Sequence, residues 1–283
     1  MADQKPLTGL ESTFSHLLAR RRSRSLLRRL TTAPPGTVDF SSNDYLSLST
    51  HPEIRSTFLS LLQAPEPTTT TTTNVPSTPP PPPPIGSRGS RLLDGNNALA
   101  LSLESLIAAH HRAGSGLLFN SGFDANVGLF SSVPQPGDYV VYDELIHASL
   151  TPQPPAAIVL CTPLTRSYLI NYARPLIYTT ALSHPSLASI SATYAFLTAN
   201  KTTPLLTHLH TLTTLAHALL AALIARFPAS TLSLLPLPTT RNPSPILPVF
   251  TPHPRQLAAH CQAKGYMVRA IVAPTVPRGA ERT

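Results

Sequence analysis

The sequence predicts an α/β fold in two unequal parts. Three observations carry that prediction. Between residues 86 and 150, helix-type and strand-type patterns alternate, the mark of helices packed on a sheet. The alternation returns on a smaller scale between residues 246 and 272. The chain has 283 residues, of which 42% are hydrophobic, enough to build a core for one large domain or two.

The elements follow in chain order. Residues 8–30 read as a basic amphipathic helix, with Phe14, Leu17, Leu18, Leu26 and Leu27 as its apolar contacts. Val38 to Phe40 is a short strand, and Ser41 to Tyr45 is turn-rich. Pro52 favours a helix first turn, and the helix it opens ends at Ala64-Pro65. Six threonines (68–73) and six prolines (79–84) then make a low-complexity stretch. Such a stretch reads either as an exposed loop insertion over residues 63–85 or as a proline-rich ligand, the loop being the simpler reading.

Leu99, Leu103, Leu106 and Ile107 fall on one stripe of a helix. Leu117 to Phe119 is an apolar run suited to a buried strand. Ser121-Gly122-Phe123 then opens the next helix. A small-residue turn between a strand and a helix N-terminus presents free backbone N–H groups to an anion such as phosphate. The plainer alternative is a corner and nothing more. Tyr139 to Tyr142 reads as a strand, and so does Ala156 to Cys161. Helices are expected from Thr162-Pro163 to Arg174, after Ser183, and from Pro204 to Phe227. Ile246 to Phe250 is an edge strand because of Pro248, Pro254 to Lys264 a helix stopped by Gly265, and Val268 to Val272 a strand.

Composition excludes several functions. Cys161 and Cys261 are the only cysteines, so neither a zinc site nor a disulfide framework is indicated. The net charge of +8 is mostly arginine, gathered at Arg20 to Arg22, Arg24, Arg28 and Arg29. A basic cluster can meet nucleic acid or an anionic membrane, but without interleaved aromatic residues this one reads as a solvated helix face, with attraction of polyanionic acyl-CoA as a further use. No N-terminal signal and no apolar run near ~20 residues is apparent. The expectations are a cytoplasmic protein, no nucleic-acid partner and no membrane span.

Six segments, in order, resemble one family. They are Asp39-Phe-Ser-Ser-Asn-Asp-Tyr-Leu-Ser-Leu48, Gly86-Ser-Arg-Gly-Ser-Arg-Leu92, Leu118-Phe-Asn-Ser-Gly-Phe-Asp-Ala-Asn126, Asp143-Glu-Leu-Ile-His-Ala-Ser149, Ala173-Arg-Pro-Leu-Ile-Tyr-Thr-Thr-Ala-Leu182 and Ala273-Pro-Thr-Val-Pro-Arg-Gly279. The sequence is similar to the α-oxoamine synthases, pyridoxal-phosphate (PLP) enzymes that join an amino acid to an acyl-CoA with loss of carbon dioxide.

The resemblance implies an aspartate-aminotransferase-like fold (PLP-dependent transferase fold type I). It implies a C-acyltransferase of the kind that condenses alanine with a pimeloyl-type thioester in biotin biosynthesis. It places Ser121, Gly122, Phe123, His147 and Thr180 at the cofactor, and Arg28, Asn43 and Thr275 with the substrate. It further implies three parts: a basic helix (1–35), a PLP-binding large domain (36–182) and a small C-terminal domain (183–283). A homodimer, or a heterodimer with a full-length relative, would be the assembly.

Two departures stand out. The family carries glycine where Ser47 stands, so serine is strained there if the position needs positive φ. Only Thr151 to Pro155 separates the His147 segment from the strand at Ala156, where the family has a long block. That block holds the aspartate that pairs with the cofactor ring and the lysine that attaches it. The three lysines here, Lys5, Lys201 and Lys264, have no such context. The expectation is a large domain without its middle strands, a small domain incomplete at its end, and no condensing activity in the isolated chain. A pseudoenzyme pairing with a complete subunit and a truncated or mis-spliced product are the two alternatives.

Overall fold

The computed structural model describes residues 8–24, 27, 30, 32–64, 83–141, 157–237, 244–272, 276 and 282–283. Arg28, the low-complexity run from 65 to 82, the segment with His147, and Thr275 lie outside the described residues.

Strand β2 (Ser115–Phe119) forms the centre of the fold. Its side chains alternate between two faces, as a pleated strand requires. Leu117 and Phe119 point to one face and pack with helices α4 (Gly122–Ser132), α5 (Pro163–Tyr172) and α6 (Arg174–Ile177) through Ala125, Leu169, Ala173 and Leu176. Leu118 points to the other and packs with α3 (Ala98–His110) and α7 (His184–Thr198) through Ala100, Leu103, Ile107 and Leu187. Helices thus cover both faces of the strand. Gly128 of α4 lets Phe119 approach, since a Cβ there would lie 3.0 Å from the ring. A third cluster joins α2 (Pro52–Gln63) to α7 through Ile54, Ala192 and Phe196. The boundary expected at residue 183 falls at the N-cap of α7, Ser183, and the buried side of that helix lies on α2 and α3.

Strand β3 (Ala157–Cys161) pairs antiparallel with β2, with Leu117 opposite Val159. Strand β1 (Val38–Asp39) pairs parallel with β6 (Tyr266–Met267), and β4 (Ser233–Leu234) antiparallel with β5 (Val249–Phe250). The terminal Thr283 exchanges backbone hydrogen bonds with Val249 at 2.8 and 2.9 Å.

Several local expectations are corrected. Tyr139, Val140 and Val141 join no ladder, and Tyr139 and Val141 are 95% exposed. Their β-type composition forms no strand without a neighbouring edge to pair with. The last strand begins at Tyr266 rather than Val268. Gly265 reverses the chain at φ +86, so the strand starts at once and meets β1. Within the small C-terminal α/β unit, β6 therefore pairs with the N-terminal β1 and not with β5 across α9 (Pro254–Ala263). The first helix, α1, spans Gly9–Ser23 and stops well short of residue 30.

Helix α8 (Thr203–Ile224) corrects the expectation of no long apolar run. Among the described residues it is the one helix long and apolar enough to cross a membrane, on length and composition alone. No fully charged residue falls between Lys201 and Arg226, and the threonines and histidines there mask the run to inspection. Leu212, Leu215, Leu219 and Leu223 are exposed along it.

Ser47 adopts φ 52 and ψ 35, the left-handed region, as its place in a glycine position implied. That conformation costs an L-residue about 1–2 kcal/mol, against about 0.5–1 kcal/mol of extra backbone entropy for glycine. Ser47→Gly should therefore raise stability by about 0.5–1 kcal/mol, read as a higher urea midpoint at unchanged slope.

Candidate cofactor-phosphate site

The chain leaves β2 at Phe119 and turns through Asn120 and Ser121 into α4. Ser121 is extended at φ −154, and its Oγ accepts the Asp124 N–H at 3.0 Å. Its carbonyl accepts the Ala125 N–H at 3.0 Å, the first bond of the helix. The N–H groups of Gly122 and Phe123 precede that bond and have no acceptor within the helix. They sit at the positive end of the helix dipole, the arrangement that holds an anion. The Asp124 carboxylate in the same first turn competes with any such anion.

Thr180 forms the facing wall. Asn120 Nδ2 donates to the Thr180 carbonyl at 2.6 Å, so Thr180 stands one residue away from the turn. The next residue, Ala181, donates its N–H to the Gly89 carbonyl at 2.8 Å. This docks the glycine-rich segment against the wall. Gly95 makes the docking possible: a Cβ there would lie 2.0 Å from the Gly89 oxygen and 2.9 Å from Ala181 Cβ.

Glu104 of α3 ties both walls together. It is buried, at 2% exposure. Its carboxylate accepts the Leu118 N–H at 2.8 Å and the Arg166 Nη2 at 2.7 Å, and it pairs with Arg91. Arg91 also donates to Asn96 Oδ1 at 2.7 and 3.0 Å, which fixes the glycine-rich turn. Arg166 donates from Nε to the Gly116 carbonyl at 3.0 Å. Glu104, Arg91, Arg166 and Asn120 were missed as site-building residues in the sequence reading. The available signal was the one charged residue inside the apolar run 98–109.

Of the residues expected at the cofactor, Ser121, Gly122, Phe123 and Thr180 come together. The Phe123 ring is 56% exposed, so its backbone N–H is what it offers. Asn43 lies in an exposed turn where its Oδ1 accepts from the Tyr45 hydroxyl at 3.4 Å. No contact to the Ser121 turn ties it in among the described residues. The crevice lined by Arg91, Asn97, Asn120 and Thr180 holds about 10 Å³, room for a single water and not for a pyridine ring. A groove of about 480 Å³ lies elsewhere, along α3 and the outer edge of β2.

Among the described residues, no lysine lines this crevice. Lys201 pairs with Glu53 at the start of α2, both about half exposed. Lys264 is the C-cap of α9, where a cation complements the dipole.

Comparison with known proteins decides the family. The chain is 36% identical over 395 aligned positions to 8-amino-7-oxononanoate synthase of Emericella nidulans (strain FGSC A4), an alignment covering 96% of this chain and 90% of that one. The chain belongs to the α-oxoamine synthase family. The 395 positions exceed the 283 residues here, so at least 112 (395 less 283) hold no residue of this chain. A shorter match, 38% identical over 132 residues to the 8-amino-7-oxononanoate synthase of Mycobacterium sp. (strain JLS), spans 46% of this chain and 30% of that one. No protein-family model matches.

Solved structures agree on the fold. A Lys→Ala variant of serine palmitoyltransferase from S. paucimobilis with a bound PLP–myriocin aldimine superposes with a TM-score of 0.64 at 14% identity, covering 97% and 92% of the two chains. The 8-amino-7-oxononanoate synthase of Francisella tularensis gives 0.56 at 16% identity over 87% and 90%. The fold is the PLP-dependent fold type I, with many of its strands missing among the described residues.

Removing Glu104 leaves two largely buried guanidinium groups without their shared carboxylate. Glu104→Ala should cost about 3–5 kcal/mol in urea unfolding. Glu104→Gln, which still accepts the Leu118 N–H, should cost less than alanine. Equal stability of all three chains would show that the network contributes nothing.

Proposed function

We propose that this chain recognises the phosphate of PLP without covalent attachment, and that alone it does not carry out the family's condensation of an amino acid with an acyl thioester. One observation carries the reading. The Ser121–Gly122–Phe123 turn is complete and walled by Thr180, while no lysine among the described residues lines the adjoining crevice.

When bound, PLP supplies an electron sink for the amino-acid carbon that loses its proton or carboxylate. The residues of this chain fit its phosphate and not its attachment. Gly122 and Phe123 would donate their N–H groups to the phosphate, while Ser121 holds the helix start and Asn120 sets Thr180 beside them. His147 would contact the ring, and Arg28, Asn43 and Thr275 would face the substrate, as the family resemblance implies. The narrow crevice beside the turn leaves no room for a pyridine ring, which favours weak binding. A Lys→Ala chain of this fold has been solved with a PLP aldimine bound, so a chain of this architecture accepts the ligand with a lysine replaced.

A second reading is a truncated product of a complete gene, or a chain that pairs with a full-length relative. The alignment positions with no residue here favour it. A transcript across the codons for Leu150 to Ala156 that encodes a longer segment with a lysine would establish the truncated reading.

Binding is expected with Kd on the order of 0.1–1 mM for both PLP and inorganic phosphate. In calorimetric titration, Gly122→Val should abolish both by keeping the anion off the backbone. His147→Ala should weaken PLP alone, since inorganic phosphate offers no ring. A Gly122→Val chain that binds like the parent removes the phosphate from this turn.

Borohydride treatment of the PLP-loaded chain tests attachment. Peptide mapping should find no pyridoxyl group that accompanies turnover. A pyridoxyl group on Lys201 or Lys264 in a sample that condenses substrate would overturn the reading.

A further inference from the structure

Helix α1 stands apart from the core. Every residue from Thr8 to Arg24 is exposed, and none of Gly9–Ser23 is buried. The helix is nonetheless well formed at its start. Thr8 and Glu11 make a capping box, the Thr8 N–H donating to Glu11 Oε2 at 2.8 Å and the Glu11 N–H to Thr8 Oγ1 at 3.3 Å. It therefore presents a preformed surface.

That surface has two chemistries in a fixed relation. Leu10, Phe14, Leu17 and Leu18 occupy i, i+4, i+7 and i+8, and are 64%, 52%, 44% and 50% exposed. At 3.6 residues per turn they share an arc of roughly 100°. Arg20 and Arg22 fall on opposite borders of the arc, Arg21 continues it toward the C-terminal end, and Arg24, the C-cap, follows near the Arg20 border. The acid of the segment is Glu11, whose bonds to Thr8 hold its carboxyl below the usual carboxylate range. His16 lies on the polar side. An apolar stripe bordered by arginines whose stems reach past it matches a bilayer interface, with side chains in the acyl boundary and guanidinium groups at lipid phosphates.

We infer that α1 docks on an anionic membrane surface, lying in the interface plane and not across the bilayer. Charge complementarity chooses this occupant: four arginines against one engaged acid, on a chain of net charge +8. A nucleic-acid backbone would satisfy the arginines and leave the four apolar side chains in water. The inference is independent of the phosphate site.

The test uses the whole chain and vesicles of phosphatidylcholine, with and without phosphatidylserine, in co-sedimentation at low and high salt. The parent should bind the phosphatidylserine vesicles more tightly and lose that advantage in high salt. Arg20→Gln with Arg22→Gln should weaken binding on the order of tenfold or more. Phe14→Ser with Leu17→Ser should weaken it at least as much. Leu10→Ser with Leu18→Ser reads the same stripe independently. Because α1 buries nothing, all three pairs should keep the parent's thermal unfolding transition. Equal binding to both vesicles overturns the inference. Binding that survives the stripe substitutions also overturns it and directs the contact to α8. Binding of duplex DNA that the arginine pair abolishes, with no vesicle binding, replaces it with a nucleic-acid contact.

Discussion

One buried carboxylate holds this structure together. Among the described residues strand β2 pairs with β3 on one side only, so the backbone groups of its other edge need partners. Leu118 lends its N–H to Glu104, and Gly116 its carbonyl to Arg166. These two side chains are themselves paired at 2.7 Å. Together they complete the edge of β2 as a neighbouring strand would. A two-stranded sheet is marginal by itself. Here its faces are covered by helices and its open edge is closed by an ion pair.

The candidate site inherits its geometry from that carboxylate. Through Leu118, Glu104 fixes the last residues of β2 and with them the turn at Asn120 and Ser121. Through Arg91 it fixes the glycine-rich segment, which docks on Ala181 and so sets the position of Thr180. The two walls come from segments some 60 residues apart in sequence, Asn120 and Thr180. Burial of a charge this deeply is tolerable because the carboxylate has three donors.

Away from this centre the chain keeps much apolar surface in contact with water. Leu160 of β3, Leu212, Leu215, Leu219 and Leu223 of α8 and the stripe of α1 are exposed. This exposure accompanies a fold in which many of the type I strands are missing among the described residues. A sheet reduced to paired strands cannot bury the flanking helices on more than one side.

The sequence by itself determined what depends on neighbours along the chain. The buried strand at Leu117 to Phe119 and the serine-capped start of α4 were legible from periodicity and turn chemistry. The left-handed strain at Ser47 was legible from its standing in a glycine position. The absence of a lysine in the attachment context is a fact of the sequence. Tertiary structure decided what depends on contacts distant in sequence. Tyr139 to Val141 has strand composition and found no edge. Strand β6 pairs with β1, more than 200 residues away, because Gly265 turns the chain toward it. Glu104 reads in the sequence as one charge in an apolar helix. Only folding brings Arg91, Arg166 and the Leu118 N–H to it, and a carboxylate becomes the joint of a fold when three donors meet it out of water.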